Sequence, residues 1–383
     1  MKNQKKGETL VRLLICAGGT GGGVYPALAV LKALGEQANP ILWVGGQGGM
    51  EADLVQRASI PFRAIPAAGV HGVGLITLPK NLLQLGKGVI ASRQILKEFS
   101  PDVILFTGGY VAAPMAVAAN RIPKLLYVPD IEPAMALNFL ARSADRIAIT
   151  TEDSRDYYPQ KSRTVVTGYP TRPDLAEWPG RKAQARQILE VRSDLPVVLV
   201  FGGSKGARSI NQALLSILNS LLETAEVVHL TGSLDWNQAR TYHDALPSRL
   251  AARYHPHPYL HEEMGAALAA ADLVLSRAGA SVLGEYPLFG LPSILVPYPY
   301  AWRYQKVNAE YLVKRGAAKL LPDEQLTEKM LPTLLAYLQD SVRLQAMQQA
   351  VSALARPTAA AEIANLALEL AESRAVREGN RHG

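Results

Sequence analysis

RLLICAGGTGGG, residues 12–23, decides the fold: an apolar run ends in five glycines within six positions, then passes into an amphipathic stretch, Tyr25–Leu34. A strand that is apolar along its whole length, rather than alternating, belongs in a sheet covered on both faces. Glycines after it let backbone N–H groups approach a neighbour or an anion closely, and the next helix adds partial positive charge at its start. VVLVFGGSKGA, residues 197–207, repeats this order before the amphipathic stretch Asn211–Leu222, with Ser204 and Lys205 offering a hydroxyl and a cation. Each strand–glycine–helix signal opens a doubly wound domain. The first glycine run has no Gly-Lys-[Ser/Thr] at the Walker offset, and no acidic residue ends the second strand at Trp43–Gly45, so neither common nucleotide fingerprint applies.

Outward from these two points, short apolar runs alternate with helical patterns. In the first half strands are expected at 12–17, 41–45, 103–106, 124–128 and 146–150, and in the second half at 196–201, 226–230, 273–276 and 293–296. Helices are expected at 25–34, 211–222, 264–270 and 306–314. This is an α/β pattern with parallel sheets. TGYPTRPDLAEWPGRK, residues 167–182, carries three prolines and no period, which suggests a linker. The expected division is a domain over 9–168, a linker over 169–190, a second domain over 191–355, a C-terminal helix over 356–373 that returns to the first domain, and a disordered tail over 374–383. Spacing alone does not separate this plan from that of a two-domain dehydrogenase.

The chain has 383 residues, 48% apolar and 19% charged, which suits globular domains. Its apolar runs fall short of the ~20 residues a bilayer span needs. The run Leu10–Ala17 is too short for a signal core and enters a glycine turn, so the cytoplasm is the default expectation. Cys16 is the one cysteine, which excludes an intrachain disulfide. The net charge of +7 suits an anionic partner. No dense basic tract with interleaved aromatics or zinc-finger pattern is present, so nucleic acid is not expected.

Several stretches together resemble the MurG family of N-acetylglucosaminyltransferases. GGTGG with VYPALAV is similar to its first loop and helix, and GMEADLV (Gly49–Val55) and GGYVAAP (Gly108–Pro114) to its second and third motifs. GGSKGARSIN (Gly202–Asn211) is similar to its C-domain loop. RAGASVLGE (Arg277–Glu285), GLPSILVPYP and Gln305 with Asn308-Ala309 look like its donor site. The resemblance runs from Leu13 to Leu370. It implies a GT-B fold, two Rossmann-like domains facing an interdomain cleft. It also implies inverting transfer from UDP-N-acetylglucosamine to a lipid-linked muramyl-pentapeptide diphosphate at the inner membrane face, without a cofactor or a metal. By motif match, Glu285 would take the ribose hydroxyls, Gln305 the sugar hydroxyls, and Ser204 and Arg172 the diphosphate. Tyr259-Leu260 would lie beside the uracil, with Ala280 and Ser281 in the same pocket. Gly18, Gly19, Thr20, Gly21, Gly22, Gly109 and Tyr110 are the substrate-contacting positions implied for the first domain.

Two family stretches differ. The first loop ends in Gly23 where the family has histidine, and Tyr127-Val128-Pro129-Asp130 stands where the family reads His-Glu-Gln-Asn. The remaining candidates for a general base are Asp130 and Glu132, just past a strand end, and His71 in the Gly-rich AAGVHGVG. Against this, acids at such junctions also serve as caps, and a lone histidine is often a surface residue. His255, His257 and His261 match no zinc spacing. Leu75–Lys87 mixes leucines with lysines and suits an anionic bilayer surface, although a core-facing helix over Leu82, Leu85 and Val89 accounts for the same residues. A related transferase with another lipid acceptor, an epimerase of the same fold and an inactive sugar-nucleotide-binding protein remain open on sequence.

Overall fold

The computed structural model describes residues 10–18, 21–69, 78–191, 194–203, 206–300 and 303–382. It divides into two compact units, one of Met1–Arg172 with Thr358–Gly383, the other of Pro173–Pro357. His71, Gly19, Thr20 and Ser204 lie outside the described residues.

The first unit runs β1 (Val11–Ala17), α1 (Gly21–Leu34), β2 (Ala38–Gly46), α2 (Glu51–Arg57), β3 (Phe62–Ile65), α3 (Leu78–Phe99), β4 (Val103–Gly108) and α4 (Ala112–Ala118). It continues through β5 (Lys124–Val128), α5 (Met135–Ala141), β6 (Arg146–Ile149) and β7 (Thr164–Val166). Among the described residues these seven strands form one parallel sheet in the order β3-β2-β1-β4-β5-β6-β7. β4 and β5 are buried along their whole length, as continuous apolar strands must be when helices cover both faces. α1 begins at Gly21 rather than at Tyr25, so Gly21–Gly23 are its first turn. Gly23 lies against the end of β4, where an added Cβ would be in ordinary contact, 3.4 Å, with the Thr107 carbonyl.

The second unit runs α6 (Lys182–Ile188), β8 (Val197–Phe201), α7 (Arg208–Leu222), β9 (Glu226–Leu230), α8 (Trp236–Asp244), α9 (Ser248–Ala251), β10 (Tyr254–His257) and α10 (Met264–Ala270). It continues through β11 (Leu273–Ser276), α11 (Glu285–Phe289), β12 (Ser293–Leu295), α12 (Tyr304–Lys314), β13 (Ala318–Leu320), α13 (Leu326–Leu338) and α14 (Ser341–Ser352). Its six described strands are parallel, ordered β10-β9-β8-β11-β12-β13. Leu214, Leu218 and Leu221 of α7 pack on Val198, Val200 and Leu275 of the sheet. From Pro173 on, the stretch read from sequence as a linker belongs to this unit and holds α6: Lys182 pairs with Asp272, and Trp178 fills the space against Gly265 where any side chain would clash.

The chain ends in α15 (Ala359–His382), which belongs to the first unit and contacts α1, β4 and β5. Ile363, Ala364 and Ala367 are its buried face, and Arg374 donates to the Pro101 carbonyl. Residues 374–382, expected as a disordered tail, continue this helix. No described helix is long and apolar enough to cross a membrane.

Candidate functional site

In each sheet the strand order reverses once, between β1 and β4 in the first unit and between β8 and β11 in the second. Ligands of open α/β sheets gather at the carboxyl ends of strands at such a reversal. Both glycine turns predicted from sequence lie there, one in each unit.

In the first unit, the Gly18 N–H donates to the Gly108 carbonyl at 3.2 Å, closing β1 onto β4. Gly108 and Gly109 have φ of 128° and 89°, and a Cβ on Gly109 would lie 2.6 Å from the Gly18 carbonyl oxygen, so only glycine fits. Thr107 donates from Oγ1 to the Gly23 carbonyl at 2.7 Å, tying the first turn of α1 to the same strand end. Tyr110 follows directly and is 62% exposed, with its ring against Gly69. Gly22 is exposed in the first turn of α1, beside Gly21. Arg172, past the end of β7, places its guanidinium 5.1 Å from the centre of the ring of Tyr25 on α1, a cation–π pair.

Beneath this turn lies an acid that did not figure among the sequence candidates. Glu51, at the start of α2, is 1% exposed and accepts from the Gly46 N–H at 2.7 Å. A Cβ at Gly18 would come within 3.0 Å of its carboxylate, and one at Gly45 or Gly49 closer still. Glu51 thus takes part of the room at glycines 18, 45 and 49, together with Val111 at Gly18 and the Phe62 ring at Gly45. The MEADLV motif held the signal, but nothing local in it told that Glu51 folds inward.

Asp130 and Glu132 lie just past the end of β5, both half-buried. Tyr127 and Val128, where the family resemblance leads one to expect histidine and glutamate, are fully buried in β5. The Tyr127 hydroxyl bonds Thr150 Oγ1 at 3.2 Å. Burial first, and the Asp130 charge as a smaller addition, push the Tyr127 phenol well above its ordinary range, so it stays neutral. Neither Tyr127 nor Val128 supplies a base, which leaves the two carboxylates as the described candidates in this unit.

In the second unit, Gly203 and Gly206 have φ of 99° and 76°, and the Gly206 N–H donates to the Gly203 carbonyl at 2.9 Å. Arg277, at the end of β11, is 9% exposed and spans the strand ends. It donates to Asp323, to Ser209 Oγ at 2.8 Å and to the Val296 carbonyl at 3.2 Å, with Tyr298 stacked 5.2 Å away. This knot had no sequence signal beyond Arg277 itself, because Ser209 and Asp323 are 114 residues apart. After Arg277 come Ala280 and Ser281 in a short helical turn, both half-buried, and Glu285 as the first residue of α11. A carboxylate at a helix start is favoured by the helix dipole. Its neighbour Tyr286 is buried with its hydroxyl 2.5 Å from Ser276 Oγ. Gln305 Oε1 accepts the Tyr298 N–H at 2.9 Å, which fixes the carboxamide and leaves its NH₂ to donate elsewhere. Leu260 is buried, and the exposed Tyr259 ring packs on His261 with centroids 4.5 Å apart. Two of the three clustered histidines have separate partners: His255 Nε2 meets Glu226 at 2.7 Å, and His261 meets Tyr259, while His257 Nε2 is buried with no hydrogen-bond partner among the described residues. Among the described residues no group of three ligands could hold a metal ion.

The chain can be compared with known proteins. Models of the glycosyltransferase family 28 N-terminal and C-terminal domains match residues 13–149 and 197–363. A UDP-N-acetylglucosamine–N-acetylmuramyl-(pentapeptide) pyrophosphoryl-undecaprenol N-acetylglucosamine transferase from Roseiflexus sp. (strain RS-1) is 39% identical, over 93% of this chain and 94% of that protein. The enzyme of the same name from Desulforamulus reducens is 37% identical over 92% and 97%. Among solved structures, Acinetobacter baumannii MurG superposes with a TM-score of 0.75 at 27% identity, covering 94% of this chain and 99% of that one. A Neisseria meningitidis UDP-GlcNAc 2-epimerase gives 0.66 at 16% identity, covering 94% and 100%, a likeness of fold alone.

Proposed function

The chain belongs to glycosyltransferase family 28, and from that premise we propose that it transfers N-acetylglucosamine from UDP-N-acetylglucosamine to a lipid-linked muramyl-pentapeptide diphosphate, a step in peptidoglycan precursor synthesis. The observation that carries the proposal is similarity over almost the whole chain, across both domains, to enzymes of that name.

The donor falls to the second unit. Glu285 accepts from the vicinal ribose hydroxyls, and the fixed Gln305 amide addresses the sugar. Ala280, Ser281 and Leu260 line the nucleoside, and Ser204 with the Gly202–Gly206 turn receives the diphosphate. The acceptor falls to the first unit, at residues 18–22 with Gly109 and Tyr110, and Arg172 adds positive charge for the donor's diphosphate. In the reaction, an acceptor hydroxyl oxygen bonds to the anomeric carbon from the face opposite the nucleotide. The bond from that carbon to the diphosphate oxygen breaks, UDP leaves with the electron pair, and the hydroxyl proton passes to a base. Asp130 is that base, with Glu132 second and His71 third, because it follows the carboxyl end of β5, the strand next to β4, and Gly23 and Val128 have no proton-accepting side chain. A positioned base contributes roughly 10²–10⁴-fold.

A peripheral position on the inner membrane face fits this acceptor. Leu82, Leu83 and Ile90 on α3 are 54%, 60% and 69% exposed, and Lys80 and Lys87 flank them. Leucines buried in a lipid headgroup layer with lysines beside anionic lipid bind a surface without crossing it. The test of the function is transfer of labelled sugar from a panel of UDP-sugars to purified lipid-linked muramyl pentapeptide. Product from UDP-N-acetylglucosamine supports it; UDP released equally without acceptor, or label moved only to another lipid, overturns it.

A further inference from the structure

A polar thread runs through the aliphatic core of the second unit. Tyr254, His229, Asn211 and Asp235 are 1%, 0%, 1% and 7% exposed. Asn211 donates from Nδ2 to the Thr231 carbonyl and to Asp235 Oδ2, each at 2.8 Å. Its Oδ1 is therefore an acceptor, and His229 Nε2–H donates to it at 3.0 Å. That fixes the tautomer: His229 Nδ1 accepts, from the Tyr254 hydroxyl at 2.8 Å. Buried polar chains are costly unless every group is matched, and here each of these bonds is made inside the protein.

The thread ends at the second glycine turn by two routes. Thr231, whose carbonyl Asn211 holds, is the backbone on which Gly206 rests, so closely that a Cβ at 206 would collide with that oxygen. Asp235 Oδ1 lies 3.5 Å from Nε of Arg208, the first residue of α7 and otherwise 76% exposed. A cation in the first turn opposes the helix dipole. It is tethered there through Nε, which leaves both Nη groups to donate.

We propose that Tyr254, His229, Asn211 and Asp235 are positioning residues that hold Arg208 and Gly206 in place for the donor's diphosphate, with Arg208 as a further phosphate contact. The inference rests on the donor reading given above. Charge-assisted bonds of this kind imply a loss of about tenfold or more when removed.

Calorimetric titration with UDP tests it, beside transfer kinetics and a thermal melt. Wild-type protein that binds no UDP sinks the donor reading itself. Given that it binds, Arg208→Ala is expected to weaken UDP by about tenfold, and Asn211→Ala by a similar factor, with the acceptor KM unchanged. The double variant is expected to be no weaker than the worse single one, since both act through one tether. Tyr254→Phe keeps the ring while removing the donor to His229 Nδ1, and is expected to weaken UDP several-fold. His229→Gln, which can donate to Asn211 and accept from Tyr254, is expected to restore wild-type affinity where His229→Leu loses it. Unchanged UDP affinity in Arg208→Ala and Tyr254→Phe overturns the proposal. So do losses that add in the double variant, or a lowered melting temperature with UDP affinity intact.

Discussion

Lowering the pH from 7 to 5 charges a histidine in an unfolded chain but not His229 in the folded one. Complete burial pushes the His229 imidazole down to about 3, from an unfolded value near ~6.5. The unfolded state therefore binds a proton between these values that the folded state refuses, and stability rises with pH across that window. The contribution is complete above pH ~6.5 and is lost progressively toward pH 3. Each pH unit is worth ~1.4 kcal/mol, so the 1.5 units from ~6.5 to 5 remove about 2 kcal/mol. In a unit of this size that is a fall of roughly 4–8 °C in Tm. Scanning calorimetry at pH 7, 6 and 5 on wild type and His229→Gln reads the effect as a difference in slope, which cancels the other titrating groups. Wild type is expected to lose the larger share. His257, also lowered by burial, acts in the same direction and is common to both proteins. Equal slopes in the two proteins would mean that His229 is protonated in the fold, and the buried thread would have to be redrawn.

Glu285→Ala is expected to weaken UDP about tenfold, the worth of a charge-assisted hydrogen bond, with the Tm held; calorimetry giving wild-type affinity removes Glu285 from the ribose. Asp130→Asn is expected to cut kcat at least a hundredfold while UDP affinity stays the same. With a carboxylate base, wild-type turnover runs flat from pH 6 to 8, whereas a rise centred near ~6.5 would point to a histidine instead. Replacing Leu82 and Leu83 together by Ser is expected to reduce sedimentation with anionic vesicles and to move Tm little, because both are exposed. A large fall in Tm with vesicle binding intact would remove α3 from the membrane surface.

The strands that the sequence reveals and those it hides differ in position. The nine strands expected from apolar runs are the inner strands of both sheets, each within a few residues of its observed span. The four not expected, Phe62–Ile65, Thr164–Val166, Tyr254–His257 and Ala318–Leu320, are the two edges of each sheet. An edge strand is paired on one side only and need not be apolar throughout: β3 carries Arg63 outward, and β10 tolerates Pro256. The site divides in the same way. Glycine turns are local in sequence and were legible as motifs. The contacts that hold them, Arg277 to Ser209 and Asp323, Thr107 to Gly23, Tyr254 to His229, join residues 25 to 84 positions apart and leave no local pattern. The start of α1 is not legible because glycine reads as loop, while here Gly21–Gly23 form the first helical turn and Thr107 of β4 bonds the Gly23 carbonyl.

The return of α15 to the first unit separates the order in which the chain is made from the order in which it can be finished. Residues up to Arg172 leave the ribosome first, yet the helix that covers α1, β4 and β5 is synthesised last, after all of the second unit. At ~5–20 residues per second, the first unit waits roughly 10–40 s with that apolar surface uncovered. The second unit, continuous from Pro173 to Pro357, needs no such wait and is the part free to fold first. A nascent chain stalled before Thr358 is thus expected to carry a protease-resistant second unit behind a susceptible first one, the reverse of their order along the polypeptide.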